Sequence, residues 1–242
     1  MKVIKLDAID STNEFLKGLS NKQELENFTV VTAENQVKGK GQMGSVWSSE
    51  AGKNLIMSVF IKDSLSDVSQ IFKLNIGVAL AIVEALETFN IPSLMIKWPN
   101  DIMSYNFKIG GILIENSIKS DGTVHSIVGL GLNVNQINFE NLPKASSLAV
   151  ICDSQFDKEK ILKEIVMKIK QNIAMMNGDT DALWLEYSSR LFKKGVPMAF
   201  KDKSNQNFMG IIQGVSSHGK LQVQLEDNSI SEYSIKEVQL LY

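Results

Sequence analysis

Lys97–Glu115 reads KWPNDIMSYNFKIGGILIE, and the fold turns on this stretch. Pro99 pushes Trp98 out of the α region, so Lys97–Asp101 is an extended turn. A turn needs Pro and Asn-Asp; it does not need a lysine and a tryptophan beside them. Leu94–Trp98 before it reads as a short strand. Asp101–Tyr105 and Lys108–Ile118 after it read as a hairpin around Asn106. A lysine opening an apolar strand is usually a solvated strand end. Here Gly110 and Gly111 follow Lys108 at once and open space beside its ammonium for a ligand. Asp101 is a candidate for Mg²⁺, which takes one or two carboxylates plus substrate phosphates.

Upstream, Val68, Ile71, Phe72, Val78, Ala79, Ile82, Ala85, Leu86 and Phe89 recur at helical spacing. They predict one long amphipathic helix stopped near Pro92. Thr32–Trp47 (TAENQVKGKGQMGSVW) sets Gly39, Gly41 and Gly44 around Lys38 and Lys40 and closes on Trp47. Glycines let N–H groups converge on an anion, lysines add mobile charge, and tryptophan adds a flat apolar wall. The loop is neither GxxxxGK[ST] nor GxGxxG; its plainer reading is a glycine-rich surface loop. Asp10-Ser11-Thr12-Asn13-Glu14 fits a capping box for a helix running to about Ser20. Capping accounts for one of those side chains, and the others are free to bind a polar group. Val3–Leu6, Phe28–Ala33 and Asn54–Ile61 read as strands.

Downstream, Thr123–Leu132 is a further strand, whose Gly129 and Gly131 imply a close approach by another group. Asp157–Leu191 is helical. Beyond Gly195 come short alternating runs, with Leu221, Val223 and Leu225 facing one way and Gln222, Gln224 and Glu226 the other. Such runs with tight turns predict a small SH3-like β-barrel. The expected class is therefore α+β: residues 1–192 form a mixed-sheet catalytic domain with flanking helices, and residues 193–242 form the β appendix.

The 242 residues carry a formal net charge of -2, with none of the basic excess of a nucleic-acid binder. Cys152 is the only cysteine, and His125 and His218 lie far apart. These counts exclude an intrachain disulfide and make cysteine or histidine metal clusters implausible. The N-terminus has no secretory signal pattern, and Ile71–Phe89 is broken by charges, so a cytoplasmic protein without a membrane span is expected.

The order Ser-Thr-Asn, glycine loop ending in Trp, KWPND, K-x-G-G-I-L-x-E and Gly129-Leu130-Gly131-Leu132-Asn133 resembles biotin protein ligases. The resemblance runs from Asp10 to Asn133, and the β appendix is similar too. It implies a catalytic domain like that of class II aminoacyl-tRNA synthetases. It implies that biotin's carboxylate attacks the α-phosphate of ATP, giving biotinyl-5′-AMP, and that a lysine of a biotin carboxyl carrier protein domain then displaces AMP. No enzyme nucleophile is required, only positioning and charge stabilisation.

The resemblance assigns biotin contacts to Ser11, Thr12, Asn13, Gln36, Lys40, Gly41, Gln42, Trp47, Lys108 and Gly111. It assigns ATP or adenylate contacts to Gly39, Lys40, Asn100, Lys108 and Asn133. Lys108 and Asp101 are the catalytic pair, Asp101 doubling as the Mg²⁺ ligand and as acceptor of the incoming lysine's proton. ATP, Mg²⁺ and biotin are the expected small molecules, with no permanently bound cofactor. A homodimer through exposed strand edges is among the expected partners; nucleic acid and membrane are not.

The chain departs from the usual GRGRxG loop: Lys40 and Gln42 stand where arginines are usual. Lysine cannot make a planar two-pronged contact and Gln42 is uncharged, so faster leakage of biotinyl-AMP is expected. Ser11-Thr12-Asn13 lies so near the first residue that a ligase without an N-terminal DNA-binding domain is expected. The alternatives are a lipoate or octanoate ligase of the same superfamily, or a non-enzymatic binding module.

Overall fold

The computed structural model describes residues 1–62, 71–119, 122–140, 142–176 and 180–242. A seven-stranded sheet carries the N-terminal part. Its strands are β1 (Val3–Ile9), β2 (Val30–Gln36), β3 (Leu55–Lys62), β4 (Leu94–Lys97), β5 (Asp101–Ser104), β6 (Phe107–Ile118) and β7 (Val124–Leu132). They lie in the order β1-β2-β3-β7-β6-β5-β4. β1 and β2 are parallel and the other pairs antiparallel, so the sheet is mixed, as expected.

Helices cover both faces. α1 (Thr12–Lys22) sets Leu16 against Val31, Phe60 and Ile127 on one side. α2 (Ile71–Glu87), α4 (Lys158–Met176) and α5 (Thr180–Ser189) join the larger cluster on the other. This double cover explains why β3, LIMSVFIK, is buried from Leu55 to Ile61 with no alternation. Ser11 caps α1, its hydroxyl accepting from the Glu14 N–H at 3.5 Å.

Two boundary shifts have local reasons. β2 starts at Val30, not Phe28, because Phe28 sits at φ 63. α2 ends at Glu87, short of Phe89, and Asn90 (φ 57) turns the chain before Pro92. Val68, the expected start of that helix, lies outside the described residues. A five-residue helix, α3 (Leu148–Cys152), was not anticipated; Ser147 caps it by accepting from the Val150 N–H at 3.2 Å.

The C-terminal part is a five-stranded antiparallel sheet of β8 (Pro197–Asp202), β9 (Asn207–Val215), β10 (Leu221–Gln224), β11 (Ile230–Tyr233) and β12 (Val238–Leu241). Its order is β11-β10-β9-β8-β12. Leu221 and Val223 are buried while Gln222 and Gln224 are not, as their alternation predicts. Phe200, Ile212, Leu221 and Val223 belong to the same apolar cluster as Trp98 and Ile96, so the core runs unbroken past residue 193. Trp98 ties the two sheets, its Nε1–H donating to the Gly219 carbonyl at 2.9 Å. That bond gives the tryptophan of KWPND a packing role that the sequence did not suggest.

Candidate active site

A cavity of about 730 Å³ opens between the two sheets. One end is neutral and polar. Thr12 and Asn13 enter it from the first turn of α1 and Gln36 from the end of β2, and the buried Ser58 backs them from the middle of β3. The Thr12 backbone N–H and hydroxyl both reach Gln36 Oε1, at 2.8 and 3.0 Å. Ser58 Oγ lies 2.7 Å from Thr12 Oγ1 and 2.6 Å from Asn13 Oδ1. Asn13 Nδ2 donates to Glu115 Oε2 at 2.8 Å and to the Leu113 carbonyl at 3.3 Å.

Proton accounting shows what this end lacks. Two hydroxyl protons, one each on Thr12 and Ser58, serve three oxygen–oxygen contacts. Apart from the Gln36 amide N–H groups, the network therefore holds more acceptor than donor capacity at Thr12 and Asn13 and suits a ligand bearing N–H groups. Ser11 supplies the complement. Its oxygen accepts from Glu14, so its own hydroxyl proton remains for a ligand oxygen.

The glycines of β7 make this packing possible. A Cβ on Gly129 would sit 2.4 Å from Asn13 Oδ1, and one on Gly131 would sit 2.3 Å from Trp47 Cε2. The close approach expected from the sequence is thus made by Asn13 and by the Trp47 ring. That ring leans over Gly131 and Gly111 as one cavity wall. Its Nε1–H is buried and has no partner among the described residues.

Gly39–Trp47 forms a small hairpin, with the Trp47 N–H donating to Gly39 O at 2.9 Å and the Gly41 N–H to Ser45 O at 2.7 Å. Side chains at Gly39 or Gly41 would collide with Trp47 O or Ser45 Oγ at 2.3 and 2.4 Å. Both glycines serve this tight hairpin, a requirement the phosphate-cradle reading had missed. Lys38 and Lys40 pair with Asp10 and Glu14, each at 2.7 Å. The Lys40 ammonium holds the Glu14 carboxyl below the usual carboxylate range, and Glu14 in turn raises the pKa of Lys40. From the other sheet, Lys236 Nζ donates to the Met43 carbonyl at 2.5 Å and fastens the loop tip.

The far end is basic. Lys108 Nζ is 2.6 Å from Asp101 Oδ1, and Lys97 Nζ is 3.3 Å from Asp101 Oδ2. A register slip between β5 and β6 places Ile109 as an extra residue beside Lys108, the kind of bulge that re-aims a side chain. The Lys108 backbone is clamped by the Lys144 carbonyl and the Ser146 N–H, at 2.8 and 3.0 Å. The Tyr242 ring lies 4.3 Å from Lys144 Nζ and 5.5 Å from Lys97 Nζ. Burial, and then the Asp101 charge, push the Tyr242 hydroxyl pKa up. Around the cavity stand Lys40, Lys97, Lys108, Lys201, Lys203 and Lys236 against only Asp101 and Asp202. Six cations against two anions leave the lining at about +4, in a chain whose net charge is -2.

Most of the predicted residues meet here: Ser11, Thr12, Asn13, Gln36, Lys40, Gly41, Gln42, Trp47, Asn100, Asp101, Lys108 and Gly111 all line the cavity. Two do not. Gly39 belongs to the hairpin but is not among the lining residues. Asn133 is buried and donates to the Ser146 carbonyl at 3.0 Å. Sequence reasoning missed Ser58 and the lysines of the C-terminal sheet. Ser58 had a signal, as a hydroxyl inside an otherwise apolar strand; the lysines look like ordinary solvated strand ends. Asp101 does not fit a resident metal ion, because both its oxygens already accept from lysines. Among the described residues no cluster of three or more His, Cys, Asp or Glu exists.

Comparisons with known proteins place the chain among relatives. Over 241 residues the chain is 28% identical to the bifunctional ligase/repressor BirA of Bacillus spizizenii, covering 96% of this chain and 72% of that protein. It is 26% identical to the biotin–[acetyl-CoA-carboxylase] ligase of Mycobacterium tuberculosis, covering 79% and 71%. The biotin protein ligase of Aquifex aeolicus, solved with biotin and ATP, superposes with a TM-score of 0.81 at 25% identity, covering 99% and 98%. Residues 6–133 match the profile of the biotin/lipoate A/B protein ligase family. With more than half its length inside that match, the chain belongs to the biotin/lipoate A/B protein ligase family.

Proposed function

We propose that this protein is an ATP-dependent biotin–protein ligase. It activates biotin as biotinyl-5′-AMP and transfers biotin to a lysine of a biotin carboxyl carrier protein domain. One observation supports this above all: a single cavity has an acceptor-rich neutral end, an aromatic wall and a lysine-lined end, in that order. A ureido ring presents two N–H donors and one carbonyl. The donors suit the remaining acceptor capacity at Thr12 and Asn13, and the carbonyl suits the Ser11 hydroxyl. A dithiolane would leave that network unmatched, and a site built for hydrogen bonds discriminates strongly against a ligand that lacks them.

Trp47 covers the apolar body of biotin, and the carboxylate then points toward Lys108. In the first step a carboxylate oxygen bonds to the α-phosphorus, the α–β bridging P–O bond breaks, and pyrophosphate leaves with the electron pair. The Lys108 ammonium stabilises charge developing on the α-phosphate oxygens. Asp101 holds that ammonium in place, with Lys97 as its second partner. Lys201, Lys203 and Lys236 face the pyrophosphate side, and Asn100 forms part of the same wall. Asn133 acts by packing beneath the adenine side rather than by direct contact. Magnesium ion belongs to this scheme as the counter-ion that ATP brings. Residues 193–242 act as the unit that closes the cavity and fastens its lid.

Transfer of radiolabelled biotin to a carrier domain, with lipoate as competitor, tests the reading. Labelling that excess lipoate leaves unchanged is expected. Labelling suppressed by lipoate would favour a lipoate ligase, and no labelling at all would favour a binding module.

A further inference from the structure

A second cavity, about 360 Å³, adjoins the first and shares Gln42, Pro99, Asn100, Ile112 and Ile235 with it. The two are chemically opposite. Six lysines line the catalytic cavity, whereas among the described residues lining the side cavity His218 is the one ionisable side chain and no lysine, arginine or carboxylate occurs. Its walls are apolar at Phe72, Ile112 and Ile114, and Asn75 and Asn100 also line it. Asn75 Oδ1 is buried and has no hydrogen-bond partner among the described residues. Asn100 is fixed by its Nδ2–H, which donates to the Ile112 carbonyl at 2.6 Å.

An acceptor lysine is a donor-only cation on an apolar four-carbon stem. Approach past six ammonium groups is unfavourable for it, because like charges a few ångströms apart repel strongly near a protein surface. A passage with apolar walls and no lysine or arginine among the described residues suits the apolar stem and spares the ammonium that repulsion. We propose that the side cavity is the port through which the carrier's lysine enters to meet the acyl-adenylate. This rests on the ligase reading above. The ammonium loses one proton to water and its nitrogen bonds to the biotin carbonyl carbon. The carbon–oxygen bond to the phosphate then breaks, AMP leaves with that electron pair, and the remaining excess proton passes to solvent.

Asn75→Lys tests the port, since Asn75 lies outside the catalytic cavity. Biotin-dependent ATP–pyrophosphate exchange should stay within twofold of wild type. Transfer to a carrier domain should fall about tenfold or more, from the added like charge. Discharge of the adenylate by hydroxylamine, which is small and uncharged, should be unchanged. Carrier transfer within twofold of wild type, or parallel loss of the hydroxylamine reaction, would overturn the port. If Asn75→Lys also lowers exchange, Asn75→Asp against Asn75→Leu decides: the port requires faster transfer by the Asp variant, and equal rates would overturn it. Absent exchange in the wild type would instead sink the ligase reading itself.

Discussion

Gly131→Ala isolates the aromatic wall. A Cβ there would lie 2.3, 2.6 and 2.7 Å from Cε2, Cζ2 and Cδ2 of Trp47, whereas ordinary contact begins at 3.4 Å. The ring must therefore recede by about 1 Å, since closer approach is steeply repulsive. It can do so because Trp47 belongs to a surface hairpin rather than to the core. The cost then appears in ligand binding more than in stability, which should change by less than about 1 kcal/mol. Losing about 50 Å² of apolar contact at ~25 cal/mol per Å² removes about 1.3 kcal/mol of biotin affinity, or roughly tenfold in Kd. Two neighbours serve as controls. A Cβ on Gly110 would meet the Gly131 carbonyl at 3.1 Å and Leu132 Cδ1 at 3.2 Å inside the sheet, so Gly110→Ala should cost stability instead. Nothing lies within 4 Å of a Cβ on Gly18 in α1, so Gly18→Ala should gain roughly 0.5–1 kcal/mol. Calorimetric biotin titration and thermal unfolding separate the cases. A Gly131→Ala protein that binds biotin with wild-type affinity would refute the placement of Trp47.

Lys108→Met should lower ATP–pyrophosphate exchange by about 10²–10³, the range seen on removing one charge-stabilising donor. Its unfolding free energy should move by less than about 1 kcal/mol, because Lys97 still pairs with Asp101; a drop in exchange below fivefold would count against its role. Gln42→Arg should slow release of biotinyl-AMP and Lys236→Met should speed it, since one adds a charge to the lid and the other removes its fastening to Met43; equal off-rates in both would refute the lid. Glu14 should titrate below 4.5 in the folded protein and move back toward 4.5 in Lys40→Met, read by NMR of its carboxyl carbon. Because the folded value is depressed, the tether from Glu14 to Lys40 is present above pH 4.5 and fades as pH falls through the lower folded value; an unchanged titration in the variant would show that the pair does not form.

Much of the fold was legible because local rules agreed with the global arrangement. Ser11 both caps α1 and stands at the cavity, Pro99 fixes the turn that carries Asp101, and Gly129 and Gly131 mark the strand on which other side chains rest. What stayed hidden is chemistry assembled across long sequence separations. Ser58 reaches Thr12 from 46 residues away, and Lys236 reaches Met43 from 193 away. Neither separation has a pattern that periodicity or spacing can register. Trp98 and Asn133 were conspicuous for their motifs, yet their polar atoms serve backbone carbonyls of Gly219 and Ser146. A motif picks out residues that matter without saying whether they matter by touching a ligand or by holding a neighbour in place.

Exchange of labelled pyrophosphate into ATP, with and without biotin, tests the central claim most directly. The account predicts exchange that requires biotin, is not supported by lipoate and is lost with Lys108→Met. Exchange without biotin, or equal exchange with lipoate, would contradict it.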